Sequence, residues 1–385
     1  MSNPLLQRLT QHLEQREVSG TRRRLTLPAT GLVDFASNDY LGLARSPELR
    51  AAMQEALTET DVLGSTGARL LTGNSAAAEA LEQRIAAFHH AEAALLFNSG
   101  YAANLGFFSA VPRRDDVILY DEASHASVKD GIRASFATAY SFRHNDAADL
   151  RRLLAKSVTA TGALFVAVEA VYSMGGDACP LVEFASACQE HGAHLVVDEA
   201  HSLGVYGPQG EGLVTALGLD AQVLARIVTF GKALGGQGAA VVGPAVLHDY
   251  LLNFSRPFIY TTALPAVTIA ALQAGYKLLP SLAEARTRLF HLSAYAQSQL
   301  ATVTQVQVPA ESRVILPLRL PHFSPIQVRA LAAAVQAAGF DVRAIVPPTV
   351  PAGQQCLRVI VHSYNSETEI DDLVVALRQA CEVCV

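Results

Sequence analysis

Tryptophan is absent from this chain of 385 residues, and aromatic side chains make up only 7% of it. So few flat side chains argue against a stacking platform for single-stranded nucleic acid. A basic excess is missing too: 29 Lys and Arg stand against 35 Asp and Glu, a net charge of −6. A nucleic-acid groove needs the opposite sign, so no such partner is expected. The one basic run, Arg22-Arg23-Arg24, reads as a solvated face or a handle for a small anion. Gly, Pro or a charge breaks every apolar stretch short of a bilayer span, so no transmembrane helix is expected. Met1 to Val18 mixes Arg, Glu and Gln with spaced Leu, an amphipathic helix pattern without the apolar centre of a signal peptide. Cysteine is sparse and odd in number: Cys179, Cys188, Cys356, Cys381 and Cys384. The terminal Cys381/Cys384 pair has no second pair to complete a zinc site, so no metal is expected. The thiols read as reduced, in a cytoplasmic protein.

What the chain does have is apolar mass. Half its residues are apolar and 17% are charged, enough to bury a large core. Short apolar runs alternate with Ala-rich helical windows from about residue 50: Ala94–Phe97, Val117–Tyr120, Ala163–Val168, Leu195–Val197 and Arg226–Phe230. Continuous apolar strands separated by helix-sized segments predict an α/β fold, a parallel sheet covered on both faces. Ala239–Val242 follows the last of these after only a Gly-rich turn, which predicts a neighbour of opposite direction. Beyond Leu264-Pro265 the rhythm changes. A long helical stretch from Val267 to Leu300 precedes short strands at Val314–Leu318, Val342–Ile345 and Leu357–Val361, with a helix from Pro325 to Ala338. A last helix starts at a capping-box-like Ser366-Glu367-Thr368-Glu369. The expected organisation is an N-terminal helix and extended segment (1–45), a large α/β domain (46–275) and a smaller C-terminal α+β domain (276–385).

In an open α/β sheet, ligands bind beyond the carboxyl ends of the strands. Those ends carry Ser99-Gly100-Tyr101, then His125, then Glu169 and Ser173, then Asp198 and His201, then Thr229 and Lys232. Each has a plain reading. Ser99-Gly100-Tyr101 suits an ordinary strand–helix turn as well as an anion on freed amides. Asp198 suits a helix N-cap, each histidine a satisfied semi-buried ring, and Lys232 a surface lysine. Taken together they describe a pyridoxal 5'-phosphate site. A strand ends in Asp with His three positions on, and the next ends Thr-Phe-Gly-Lys. Such a lysine forms a Schiff base with the cofactor aldehyde, while the carboxylate keeps the pyridine nitrogen protonated.

Several motifs carry a family resemblance: Ser37-Asn38-Asp39-Tyr40-Leu41-Gly42-Leu43, Gly64-Ser65-Thr66-Gly67-Ala68-Arg69 and Ser124-His125-Ala126-Ser127. Tyr172-Ser173-Met174-Gly175-Gly176-Asp177, Val197-Asp198-Glu199-Ala200-His201 and Thr229-Phe230-Gly231-Lys232 extend it. From about Arg22 to Val361 the chain resembles the α-oxoamine synthases, fold-type-I pyridoxal phosphate enzymes that join an amino acid to an acyl thioester with loss of carbon dioxide. Two positions depart from the pattern: Tyr101 stands where Phe is also common, and Gly175 where an acidic or polar residue is usual. The resemblance implies a mostly parallel seven-stranded sheet and a homodimer.

It also implies roles. Lys232 is the Schiff-base lysine and acid/base at the α-carbon, Asp198 holds the pyridine nitrogen, His201 bonds the phenolic oxygen and His125 stacks on the ring. Ser99, Gly100, Tyr101 and Thr229 lie near the phosphate, with Thr261 and Thr262 offered to it from the other subunit. Glu169 and Ser173 line the cofactor pocket. Asn38, Thr349 and Arg358 are implied on the substrate side, Arg358 as a fork for an α-carboxylate, and Arg22 at the acyl end. Thr229–Ala233 and Pro347–Gly353 favour the member that condenses L-alanine with a pimeloyl thioester, carried by coenzyme A or an acyl carrier protein.

Overall fold

The computed structural model describes residues 3–25, 27, 30–59, 62–157 and 162–384, without the side chains of Val383 and Cys384. The Cys381/Cys384 pair therefore falls partly outside the described residues. Two compact units are formed. One comprises residues 38–173 and 178–287, and the other residues 1–37, 174–177 and 288–385.

The larger unit is built on seven strands: β1 (Ala93–Phe97), β2 (Val117–Asp121), β3 (Thr138–Phe142), β4 (Leu164–Glu169), β5 (His194–Asp198), β6 (Val223–Thr229) and β7 (Ala239–Gly243). Their order across the sheet is β1-β7-β6-β5-β4-β2-β3. β7 runs antiparallel to both β1 and β6, and the remaining pairs are parallel. Alternate residues of each central strand feed opposite cores, because side chains alternate across the pleat. Val166, Val168, Leu195 and Val197 pack with Leu150, Leu154, Phe184 and Cys188 of the helices Ala147–Lys156 and Leu181–His191. Phe165, Ala167, Val196 and Ile227 face the other way, onto Phe107, Phe108, Val128 and Ile132 of the helices Gly100–Ala110 and Ala126–Ala134. Both faces are covered, which is why these strands read as unbroken apolar runs.

Two features differ from the sequence reading. The apolar-run pattern does not mark β3 as a strand: Thr138, Tyr140 and Ser141 are exposed and only Phe142 is buried, the pattern of a sheet edge. The helical stretch 267–300 is two helices, Ala266–Leu278 and Ala283–Leu300, separated by a 3-10 turn through Pro280.

In the smaller unit, β8 (Ile315–Arg319), β9 (Arg343–Ile345) and β10 (Cys356–Ile360) form an antiparallel sheet with β10 in the centre. The N-terminal segment belongs to this unit: Val33–Asp34 pairs in parallel with Phe340–Asp341. The last helix, Glu367–Cys384, opens on a capping box in which Ser366 and Glu369 exchange hydrogen bonds of 3.2 and 2.8 Å. No helix of the described residues is long and apolar enough to cross a membrane.

Helices Gly100–Ala110 and Ala126–Ala134 meet at Gly131, where an added Cβ would lie 2.9 Å from both the Asn104 carbonyl oxygen and Phe108 Cβ. Backbone on one side leaves little room to yield. Gly131→Val should destabilise the protein by about 1–3 kcal/mol, read as a lower denaturant midpoint at unchanged slope.

Candidate active site

Strands β4 and β5 end side by side, with Glu169 in register with Asp198 and both carboxyl groups buried. Asp198 takes hydrogen bonds on both oxygens: Oδ1 from the Ala200 N–H at 2.9 Å and Oδ2 from the Asn104 amide at 2.7 Å. No helix begins here, since the chain continues as turns until Leu213. The N-cap reading of Asp198 is therefore excluded. Burial first, and then the neighbouring Asp198 carboxylate, push Glu169 up to about 8. Glu169 accepts from the backbone N–H of His125 at 2.5 Å and from that of Ser173.

His125 starts the helix Ala126–Ala134 and lies outermost in this cluster. The loop before it is fixed from β2. Asp121, fully buried, accepts from the N–H groups of Ala123 and Asn145 at 2.8 and 2.9 Å and pairs with His144 Nδ1 at 2.9 Å. His125 Nδ1 accepts from the Ser127 N–H at 3.2 Å and lies 2.8 Å from Ser127 Oγ. Burial, and then the Lys232 charge working against Asp198, hold its pKa below the ordinary histidine value.

β6 ends at Thr229, and Lys232 follows on a tight turn closed by the Gly236 N–H to the Phe230 carbonyl at 2.8 Å. Gly235 must be glycine there: its φ is +62° and a Cβ would run into the backbone of Ala44. Lys232 Nζ donates to Thr229 Oγ1 at 3.2 Å. Opposite, the helix Gly100–Ala110 presents the N–H groups of its first turn, which have no intrahelical acceptor. Ser99 Oγ caps it by accepting from Ala102 N–H at 3.1 Å. A Cβ on Gly100 would come within 2.5 Å of Thr229 Cγ2, so the bare glycine lets helix end and strand end approach. Free amides, a threonine hydroxyl and an ammonium form an anion cradle. The Tyr101 side chain is exposed and donates to Asp130.

His201 is buried, with Nδ1 2.6 Å from the Tyr40 hydroxyl, which in turn donates to Asn38 Oδ1 at 3.2 Å. Thr262 bridges to Ala68, and its carbonyl accepts from the Asn98 amide at 2.6 Å; its side chain is exposed and that of Thr261 half-buried. Arg22, Thr349 and Arg358 belong to the smaller unit. There Arg22 pairs with Glu17 at 3.2 Å, Arg23 donates to Thr349 at 3.1 Å, and Arg358 is buried on β10.

Pyridoxal phosphate fits the residues of the larger unit on two observations. The Gly100–Thr229–Lys232 cradle suits a phosphate beside the lysine. Asp198 is a buried carboxylate whose two hydrogen-bond donors are neutral amides, a setting that favours a cationic ring N–H as a further partner.

Residues 30–377 match the family model of aminotransferases class I and II. The chain belongs to this family. It is 41% identical to the 8-amino-7-oxononanoate synthase of Emericella nidulans, an alignment covering 95% of this chain and 93% of that one. With that of Anaeromyxobacter sp. strain K the identity is 42%, again over 95% and 93%. Among solved structures it is similar to a Sphingomonas wittichii serine palmitoyltransferase (TM-score 0.91, 28% identity, 100% and 99% covered). It is also similar to the 8-amino-7-oxononanoate synthase of Francisella tularensis (TM-score 0.77, 26% identity, 92% and 99% covered). Members of the family use pyridoxal phosphate, and one similar chain, a serine palmitoyltransferase, was solved with it.

Sequence reasoning gave no role to Asn104, Ser127 or Tyr40, each of which bonds a candidate residue. Ser127 and Tyr40 sat inside quoted motifs; Asn104, one helical turn after Ser99-Gly100-Tyr101, carried no signal of its own.

Two outcomes follow from this geometry. Gly100→Ala should weaken cofactor binding by forcing the helix end off Thr229. Adding Thr229→Ser, which removes Cγ2 and keeps the hydroxyl, should recover part of the loss in a fluorescence titration. In the cofactor-free protein, Glu169 binds its proton more tightly folded than at its ordinary 4.5. The folded state then holds more protons than the unfolded one between about pH 4.5 and 8, so this group's contribution to stability falls as pH rises through that window. Glu169→Gln should flatten that fall in urea titrations taken from pH 5 to 8.

Proposed function

We propose that this protein condenses L-alanine with a pimeloyl thioester, with loss of carbon dioxide and the thiol, to give 8-amino-7-oxononanoate. The observation that carries the reading is the meeting of Lys232, Thr229, Asp198, His125 and His201 at one sheet edge, in a chain 36–42% identical to relatives named for that product. Bound pyridoxal phosphate supplies an aldehyde for the amine and a protonated ring that draws electrons from the α-carbon. Lys232 receives the α-proton and later returns one to the carbon that has lost carbon dioxide. Asp198 would hold the ring N–H, and the Gly100 helix end and Thr229, which approach each other closely, would hold the phosphate. His125 would stack on the ring, and His201, whose Nδ1 lies beside the Tyr40 hydroxyl, would bond the phenolic oxygen. Arg358 for the α-carboxylate, Arg22 for the acyl terminus, and Asn38 and Thr349 on the substrate side rest on the resemblance.

The working form in this reading is a cytoplasmic homodimer acting on small molecules, with Thr261 and Thr262 lent to the partner's phosphate. Support comes from exposed apolar side chains on the two segments joined by the Ala68–Thr262 bridge, Leu70 and Leu71 on one and Tyr260 on the other. The backbone resembles serine palmitoyltransferase more closely, at TM-score 0.91 against 0.77. The Emericella and Anaeromyxobacter oxononanoate synthases are 41–42% identical to this chain, against 28% for that serine palmitoyltransferase and 26% for the Francisella synthase. The reading follows the two higher identities because side chains rather than backbone choose the substrate.

Borohydride reduction and peptide mapping should place the pyridoxyl mark on Lys232; a mark on Lys129 or Lys156 would overturn the assignment. In a panel of alanine, glycine and serine against pimeloyl, octanoyl and palmitoyl thioesters, alanine with pimeloyl should have the highest kcat/KM. Its lead over glycine corresponds to one methyl, about 1–3 kcal/mol. Serine with palmitoyl in first place would move the protein to the other synthase. Running the pimeloyl arm on coenzyme A and on a carrier protein identifies the carrier.

A further inference from the structure

We propose that Asn104 and Ser127 are positioning residues that join Asp198 to His125 and, through the direction of their hydrogen bonds, keep the His125 proton on Nε2. The proposal rests on the reading of Asp198 and His125 as the groups that hold the cofactor ring.

Three links make the connection. Asn104 Nδ2 donates to Asp198 Oδ2 at 2.7 Å and to Ser127 Oγ at 3.1 Å, and Ser127 Oγ lies 2.8 Å from His125 Nδ1. An amide nitrogen donates two hydrogens and accepts none, so both Asn104 bonds have a fixed direction. Turning the amide over would set its oxygen against the Asp198 oxygen. The Ser127 N–H donates to His125 Nδ1 at 3.2 Å, so that nitrogen is an acceptor. Ser127 Oγ, which takes the Asn104 hydrogen on a lone pair, keeps its own hydrogen to give to Nδ1. A ring nitrogen with two donors aimed at it carries no proton, which leaves the proton of the neutral ring on Nε2. The lowered pKa of His125, caused first by burial, agrees with an uncharged ring.

Burial raises the stakes of these bonds. Asn104 and Ser127 are each 1% exposed, and Asp198 is 5% exposed, so water does not substitute for a missing partner. Asn104 comes from the helix whose N-terminus forms the anion cradle, Ser127 from the helix that begins at His125, and Asp198 from β5. One amide thus holds three elements in register and ties the acceptor for the ring nitrogen to the ring-stacking imidazole.

The test is histidine-selective 15N NMR of the protein with and without pyridoxal phosphate. His125 is assigned as the one of twelve imidazoles lost in His125→Gln. The wild type should show an unprotonated Nδ1 and a protonated Nε2. A protonated Nδ1 there would overturn the proposal, and this result needs no variant beyond the one used for assignment. Ser127→Ala should let the Nδ1-protonated or doubly protonated form appear. Asn104→Leu, of similar volume, should do the same and weaken cofactor binding on the order of tenfold, the scale of a hydrogen bond to a charged group. If both variants fold and keep the wild-type tautomer and cofactor affinity, the two residues only fill space and the proposal fails. Failure of the cofactor assignment itself would appear separately, as absence of the pyridoxyl mark from Lys232.

Discussion

Two carboxyl groups buried side by side at the ends of β4 and β5 set the terms for the larger unit. Like charges this close and this dry cannot both ionise without cost, and the structure separates their roles by environment. Glu169 is pushed towards its protonated form and turned to hold the backbone of the His125 loop through the His125 N–H. Asp198 gathers amide donors on both oxygens and stays available to a cation. The neighbouring elements answer to that division: β2 carries the Asp121 anchor for the loop, helix Gly100–Ala110 brings Asn104, and β6 brings Thr229 and the Lys232 turn.

The close approaches that allow this are made where side chains are absent. Gly100 lets a helix end sit against Thr229, Gly131 lets two helices touch, and Gly235 closes the lysine turn against backbone. These positions face different neighbours, but all serve one end: placing the helix end at Gly100, the His125 imidazole and the Lys232 turn around Asp198. Strand and helix ends carry most of these groups, and Lys232 sits on a turn closed by the Gly235 N–H to its own carbonyl and the Gly236 N–H to that of Phe230.

Much of this was legible in the sequence because burial on both faces leaves a strong mark. Alternation of apolar and polar residues was never needed: runs such as 163–168 and 195–197 are apolar throughout, and their last residues named the ligand edge. The edge strand Thr138–Phe142 left no such mark, because only Phe142 enters a core. Pro280 interrupts a helical pattern without changing its composition, so the break at 279–282 was invisible to periodicity. The titratable candidates at the strand ends stood out by residue type and position. Asn104 and Tyr40 were not, since a buried amide or phenol reads as helix filler or core until its partner from a distant segment is known.

The central claim is that Asp198 exists to hold a protonated ring nitrogen. It is tested most directly by 15N NMR of pyridoxal phosphate labelled at that nitrogen and bound to the protein. The account predicts a protonated nitrogen at neutral pH in the wild type and loss of that proton in Asp198→Ala. An unprotonated nitrogen in the wild type, or one that stays protonated in Asp198→Ala, would contradict it.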